Sequence, residues 1–195
     1  MNVPNRLTIS RFVLTVAFLI VIFTNGPHFE TIALLLFSAA SLTDYFDGKI
    51  ARRDNLITNF GILMDPLADK ILVCSAFIAF VGRGWLPAWM VVIVVARELA
   101  ITGLRLLAAS KNLVLAAEGF GKHKTISQIV AIILMLVLHS YQQWGPLGAI
   151  FGFNLFGGPW IVWVTTLSVW VAVILTFTSG GLYLWRNRGL YLVDL

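Results

Sequence analysis

The stretch WIVWVTTLSVWVAVILTFTSGGLYLW, residues Trp160 to Trp185, contains no Asp, Glu, Lys or Arg. A helix that crosses a bilayer needs about 20 predominantly apolar residues, and long uncharged runs of this kind are typical of such helices. We therefore predict that this stretch spans a membrane, and the rest of the chain repeats the pattern.

Further apolar segments of similar character are separated by Gly, Pro and polar residues. They are Leu7 to Thr24, Phe29 to about Ala51, Gly61 to Val81, Trp85 to Ala108 and Thr125 to His139. The sequence thus predicts an all-α, polytopic membrane bundle of about six transmembrane helices, forming a single domain over residues 1–195. The stretch from Gln142 to Pro159 is expected to lie on the membrane surface or to re-enter the membrane.

The composition also indicates a membrane protein. Hydrophobic residues make up 59% of the chain and charged residues 12%, whereas soluble domains are about half apolar and about a quarter charged. The net charge of +5 does not indicate nucleic-acid binding, because no basic run with interleaved polar surface is present. The single cysteine, Cys74, excludes a disulfide framework.

Lys and Arg residues predict how the bundle is oriented. When successive connections are assigned to alternate sides, Arg83 alone falls on one side. The other side receives Arg6, Arg11, Lys49, Arg52, Arg53, Lys111, Lys122, Lys124, Arg186 and Arg188. Because basic residues favour the cytoplasmic side, both termini are predicted to be cytoplasmic. No small-residue cleavage site follows the first segment, so it is expected to be a retained helix rather than a signal peptide.

One face of the second segment combines acidic, small and basic residues. Helical positions i, i+3, i+4, i+7 and i+8 share a face, and here they are occupied by Asp44, Asp47, Gly48, Ala51 and Arg52. This face offers two carboxylates, then two small residues that let a ligand approach, then a guanidinium.

Two more aspartates stand near the start of the third segment. Asp65 and Asp69 are i and i+4, so they are neighbours on a helix. Pro66 disfavours helical geometry at Asp65, so a helix either starts there, with Pro66 in its first turn, or kinks there. Both options keep these two aspartates near the cytoplasmic end of the bundle.

Carboxylates gathered in this way favour a bound divalent metal. They would repel one another, and each costs about 2.5–3.5 kcal/mol near the centre of a bilayer. Oxygen ligands without His or Cys select Mg²⁺, Mn²⁺ or Ca²⁺ rather than zinc, and such a metal is the usual partner in phosphoryl transfer. The alternative is that the aspartates merely end two helices at solvated headgroups. That alternative leaves Gly48 and Arg52 unexplained.

The spacing of these residues matches a known signature. The pattern D-x2-D-G-x2-A-R-x8-G-x3-D-x3-D is met without departure at Asp44, Asp47, Gly48, Ala51, Arg52, Gly61, Asp65 and Asp69. The chain therefore resembles the CDP-alcohol phosphatidyltransferase family. Within that family, residues 5–11, 96–98, 102–105 and 121–125 resemble motifs of the phosphatidylglycerophosphate synthase branch. The resemblance implies six transmembrane helices, usually a homodimer, and a site facing the cytoplasm and inner leaflet of a bacterial inner membrane.

The resemblance also implies a reaction and roles for its residues. The phosphatidyl group of CDP-diacylglycerol would pass to glycerol 3-phosphate, with release of CMP. Asp44, Asp47 and Asp65 would hold Mg²⁺ or Mn²⁺ against the donor pyrophosphate, while Asp69 would complete the metal site and act as general base. The donor would be bound by Asp44, Asp47, Gly48, Ala51, Arg52 and Gly61.

The implied acceptor carries a phosphate of its own, so a cationic pocket is expected. Arg97 and Arg105 lie on one face of the fourth segment, and the adjacent Glu98 can neutralise one of them. The candidate phosphate-binding residues are Thr8, Arg11, Arg97, Arg105, Lys122 and Lys124. For Arg11 and the two lysines, the alternative is simple anchoring at the membrane surface.

Two other functions are compatible with the pattern. Another member of the same family, such as a phosphatidylinositol-phosphate, phosphatidylserine or cardiolipin synthase, would share the donor and metal sites and differ in the acceptor pocket. A small transporter or channel with an acidic ion site would explain the carboxylates but not the Gly48, Ala51 and Arg52 stripe.

Overall fold

The computed structural model describes the backbone of residues 3–24, 26–53, 59–111, 113, 120–155 and 157–191, and their side chains except at 3–6, 44–53, 59–63 and 120–122. Six long α-helices follow one another within these residues. They are α1 (Val3–Phe23), α2 (Phe29–Arg53), α3 (Asn59–Gly82), α4 (Ala88–Ser110), α5 (Phe120–Ser140) and α6 (Trp160–Arg186). The predicted all-α bundle is confirmed.

Several helix boundaries differ from the expectation by a few residues, and two of the differences concern the predicted site. Helix α3 begins at Asn59 and contains Pro66, so the option of a helix starting at Asp65 is wrong. Proline is tolerated inside helices of membrane bundles, where neighbouring groups satisfy the freed backbone. Helix α5 begins at Phe120, earlier than the predicted Thr125. Its first turns contain basic residues, and an apolar pattern does not indicate a helix there. Lys122 and Lys124, which were expected just before the fifth helix, therefore lie on it.

The helices pack around a core rich in phenylalanine. Helix α1 contacts α2 and α3, α5 contacts α2 and α6, and α4 contacts α3 and α6. Phe18 of α1 and Phe37 of α2 are fully buried, with their ring centroids 5.9 Å apart. The other fully buried large side chains of this core include Phe77, Phe80, Leu72, Ile132 and Leu136.

Large apolar side chains also cover the outside of the bundle. More than half of the surface is exposed at Val13, Leu35, Leu99, Leu106, Leu167 and Phe177. Such extensive exposed apolar surface is typical of a protein that contacts lipid. Among the described residues, His123–Ile150 and Trp160–Arg186 are long and apolar enough to cross a membrane, and Leu7–Phe23 and Phe29–Thr43 are shorter apolar helices.

The connection between α5 and α6 has a structure of its own. It consists of a 3-10 helix and an antiparallel pair of two-residue strands, namely Tyr141–Ile150, β1 (Asn154–Leu155) and β2 (Gly158–Pro159). The short strands were not predicted. Gln143 Nε2 donates to Glu30 Oε2 at 2.9 Å, and Trp144 Nε1 donates to Thr31 Oγ1 at 2.9 Å. The connection therefore packs against the first turn of α2.

Candidate active site

The signature aspartates lie where α2 ends and α3 begins. Asp44 and Asp47 fall within about the last three turns of α2, and Asp65 and Asp69 within about the first three turns of α3. We call this part of the bundle the aspartate end. Some predicted site residues have backbones in these helices or in α5 but side chains outside the described residues: Asp44, Asp47, Gly48, Ala51, Arg52, Gly61 and Lys122.

Asp65 is held by the first helix. Thr8 Oγ1 of α1 donates a hydrogen bond to Asp65 Oδ1 at 2.5 Å, and the Thr8 side chain is fully buried. Asp69, one turn further along α3, is half-buried and interacts electrostatically with Lys70 and Lys124. Asp65 thus accepts a hydrogen bond from a neutral hydroxyl, and Asp69 interacts with two cations.

Cations from three helices interact with one another, and two of them, Lys70 and Lys124, also interact with Asp69. Lys70 of α3 interacts electrostatically with Arg97 and Arg105 of α4, and Lys124 of α5 interacts with Arg97 and Lys70. Arg97 and Arg105 also interact with each other, as expected for one helix face. The structure thus brings three of the predicted phosphate-binding residues together. We call Lys70, Arg97, Arg105 and Lys124 the cation cluster.

A buried glutamate joins two members of the cation cluster. Glu98 is 7% exposed, and its Oε1 accepts hydrogen bonds from Lys124 Nζ and from Arg97 Nη1, the latter at 3.3 Å. Buried charges are stable only when they are paired and hydrogen-bonded. Among the described side chains, Glu98 and Asp69 place two carboxylates beside four basic groups, an excess of basic groups that suits an anionic ligand.

Helix α6 supports both arginines of the cation cluster. The aliphatic part of Arg97 crosses α6 at Gly180, where an added Cβ would lie 2.5 Å from Arg97 Cγ. Only glycine leaves room for that crossing. The guanidinium of Arg105 lies over the ring of the buried Tyr183, with its Cζ atom 5.8 Å from the ring centroid. This is a cation–π arrangement that fixes the direction of the side chain.

Carboxylates at the aspartate end are suitable ligands for a divalent metal. Among the side chains that the structure describes, no group of three or more His, Cys, Asp or Glu residues is close enough to hold an ion. The carboxylates of Asp65 and Asp69 are hard oxygen donors at this end, and Thr8 donates a hydrogen bond to Asp65. Such donors fit Mg²⁺ or Mn²⁺.

The structure also describes one further predicted residue, Arg11, and contacts that the prediction missed. Arg11 is fully buried on α1, one turn from Thr8. Lys70 was not predicted as a site residue, although a lysine directly after Asp69 in an apolar segment could have indicated it. Glu98 was expected to neutralise an arginine, and its additional pairing with Lys124 depends on how α4 meets α5.

The chain is similar in sequence to known proteins. The family model for CDP-alcohol phosphatidyltransferase matches residues 1–178. The chain is 38% identical to CDP-diacylglycerol–glycerol-3-phosphate 3-phosphatidyltransferase of Bacillus subtilis, over 95% of each chain. It is 33% identical to the Rickettsia bellii protein of the same name, over 93% of each chain. It is 40% identical to a probable phosphatidylglycerophosphate synthase of Mycobacterium tuberculosis, over 70% of this chain and 66% of that one.

The match over most of the chain, the six-helix bundle and the signature aspartates at one end of it lead to one conclusion. The protein belongs to the CDP-alcohol phosphatidyltransferase family, whose members are integral membrane enzymes that generally depend on a divalent metal.

Proposed function

We propose that the protein transfers the phosphatidyl group of CDP-diacylglycerol to glycerol 3-phosphate in phospholipid biosynthesis, giving phosphatidylglycerophosphate and CMP. The cation cluster beside Asp69 is the observation that carries this proposal. Basic side chains in this position would suit a phosphorylated acceptor next to carboxylates suited to a metal-bound pyrophosphate. Similarity to enzymes named for this reaction supports it.

The donor would be bound at the aspartate end. Asp44, Asp47, Asp65 and Asp69 would hold Mg²⁺ or Mn²⁺, which neutralises charge on the pyrophosphate and makes the phosphorus more electrophilic. The small residues of the signature would leave room for the nucleotide, and Arg52 would meet a phosphate. The residues that shape this CDP pocket would be Gly48, Ala51, Arg52 and Gly61.

Asp69 would act as the general base of the transfer. It would take the proton from the attacking hydroxyl of glycerol 3-phosphate as that oxygen bonds to the phosphorus that bears diacylglycerol. The bond from this phosphorus to CMP would break, and CMP would leave with its electron pair. Lys124 lies close enough to Asp69 to interact with it electrostatically, so a base and a phosphate-binding cation would meet one acceptor molecule.

The acceptor phosphate would lie against the cation cluster. A phosphate monoester near neutral pH carries between one and two negative charges, and the partly balanced cluster matches such an anion. Arg105 extends over the ring of Tyr183, and its guanidinium would donate a pair of hydrogen bonds to the acceptor phosphate. Arg11 and Lys122 remain candidate contacts of the same phosphate.

Arg105 allows this acceptor pocket to be tested. The Arg105→Ala variant is expected to raise the KM for glycerol 3-phosphate about ten- to a hundredfold, because a hydrogen bond to a charged group is worth about 1.5–3 kcal/mol. The KM for CDP-diacylglycerol should change little. Arg188→Ala is the matched control, since Arg188 also lies over an aromatic ring of α6, that of Trp185 at 4.6 Å. Weakened donor binding with unchanged acceptor KM would place the acceptor pocket elsewhere.

We also propose that the protein lies in the bacterial inner membrane as a homodimer, with both termini and the active site facing the cytoplasm. The distribution of Lys and Arg supports this orientation. It is the side on which water-soluble glycerol 3-phosphate and CMP would be exchanged.

Cysteine labelling measures this orientation. In a Cys74→Ser background, Ser110→Cys and Thr24→Cys place single thiols at exposed positions near opposite ends of the bundle. In intact inverted vesicles, a membrane-impermeant maleimide should label Ser110→Cys and spare Thr24→Cys, and spheroplasts should give the reverse. The opposite pattern would put the aspartate end on the outer side.

Release of CMP tests the proposed function directly. Purified protein in detergent–lipid micelles with CDP-diacylglycerol should release CMP when glycerol 3-phosphate is added, and each CMP should be matched by one phosphatidylglycerophosphate. A transporter or channel would release none. Absence of release from folded, metal-supplied protein would refute the assignment as a transferase.

A further inference from the structure

Helix α1 presents a buried polar stripe to the rest of the bundle. Thr8 and Arg11 are fully buried and Thr15 is 2% exposed, at positions i, i+3 and i+7 of one face. A transmembrane helix that only anchors the chain needs no buried polar side chains, because such groups are costly in a bilayer. The stripe therefore points to a task for α1 beyond anchoring.

Within the stripe, two threonines use their hydroxyl groups differently. Thr15 Oγ1 donates to the backbone oxygen of Arg11 at 2.8 Å, a bond inside its own helix. Thr8 Oγ1 donates to Asp65 Oδ1 on α3 at 2.5 Å, across 57 residues of sequence. A short bond from a hydroxyl to a carboxylate is among the stronger hydrogen bonds in proteins, so it restricts the rotation of the Asp65 carboxylate.

We propose that Thr8 is a positioning residue for Asp65. Its hydroxyl engages Oδ1 and turns the carboxylate so that Oδ2 and the remaining lone pairs face the aspartate end. This inference rests on the proposed function, in which Asp65 is a metal ligand. Groups that orient a metal ligand typically change metal affinity by about 10–100-fold when they are removed.

This role differs from the one expected from the sequence. A residue that binds the acceptor phosphate would affect the KM for glycerol 3-phosphate. A residue that orients Asp65 would affect metal affinity in the absence of either substrate. The two roles are therefore separable by measurements on one variant.

The test is direct Mn²⁺ binding by the full chain in nanodiscs, without substrates. The electron paramagnetic resonance signal of free Mn²⁺ measures how much of the ion is bound. Thr8→Val keeps the shape of the side chain and removes the hydroxyl, and it is expected to weaken Mn²⁺ binding about 10-fold or more. Thr8→Ser restores the hydroxyl and should stay within about threefold of the unchanged protein. Thr15→Val removes a buried hydroxyl of the same helix and should leave the affinity unchanged.

Each outcome decides the proposal. Equal losses in Thr8→Val and Thr15→Val, or no loss in Thr8→Val, would overturn it. A raised KM for glycerol 3-phosphate in Thr8→Val with unchanged Mn²⁺ affinity would assign Thr8 to the acceptor phosphate. If Thr8→Val does not fold, Thr8→Ala is compared with Thr15→Ala by the same criteria. Failure of the unchanged protein to bind Mn²⁺ would instead refute the metal site of the proposed function.

Discussion

Turnover is expected to fall by at least about 10³-fold when divalent metal is removed with EDTA, and to return when Mg²⁺ or Mn²⁺ is added in excess. A metal on a transferring phosphoryl group contributes several kcal/mol to transition-state stabilisation, and each 1.36 kcal/mol is about tenfold in rate. Without the ion, the carboxylates of the aspartate end would also repel the donor pyrophosphate.

The control for chelation is EDTA already saturated with Mg²⁺, which should leave turnover unchanged. Elemental analysis of the treated protein shows whether the metal has left. Undiminished turnover by protein shown to be free of metal would eliminate the metal site, and the signature carboxylates would then need another role.

Asp69→Asn is expected to lower the rate constant kcat by about 10²–10⁴-fold, the usual contribution of positioned proton transfer. The substitution keeps the size of the side chain but removes its basic oxygen. The KM for CDP-diacylglycerol should remain within a few-fold, provided that the other aspartates retain the metal.

Asp65→Asn provides the contrast. It should weaken Mn²⁺ binding, so that part of its lost activity returns at high metal concentration. The loss in Asp69→Asn should persist at saturating metal, because the missing group is the base. If Asp69→Asn were fully rescued by metal, Asp69 would be a ligand only, and the proton would leave by another route.

The fold was largely predictable because apolar segments of sufficient length have few alternatives in a membrane. Their order and number follow from hydropathy and from breakers such as Pro159. The beginning of α5 was not predictable in this way, because Lys124 interrupts the apolar pattern while a helix continues through it. The short strands β1 and β2 depend on local turn geometry, including Gly157 at φ 86°, which hydropathy does not detect.

The site was predictable in its chemistry and less so in its contacts. The spacing from Asp44 to Asp69 identifies the acidic signature, and single charged residues such as Arg97 stand out in apolar helices. The bonds between residues distant in sequence could not be predicted. Thr8 meets Asp65, and Lys124 meets Glu98, only because of how the helices pack against one another.

The central claim is that the protein uses glycerol 3-phosphate as its acceptor, with the cation cluster meeting the phosphate, and an acceptor panel tests this claim most directly. Purified protein would be given CDP-diacylglycerol and Mg²⁺ with equal concentrations of glycerol 3-phosphate, inositol phosphate, serine, glycerol and phosphatidylglycerol. Products would be identified by mass spectrometry. We expect phosphatidylglycerophosphate to be the dominant product, with free glycerol and serine giving little or none. A dominant phosphatidylserine, phosphatidylinositol phosphate or cardiolipin product would contradict the assigned acceptor.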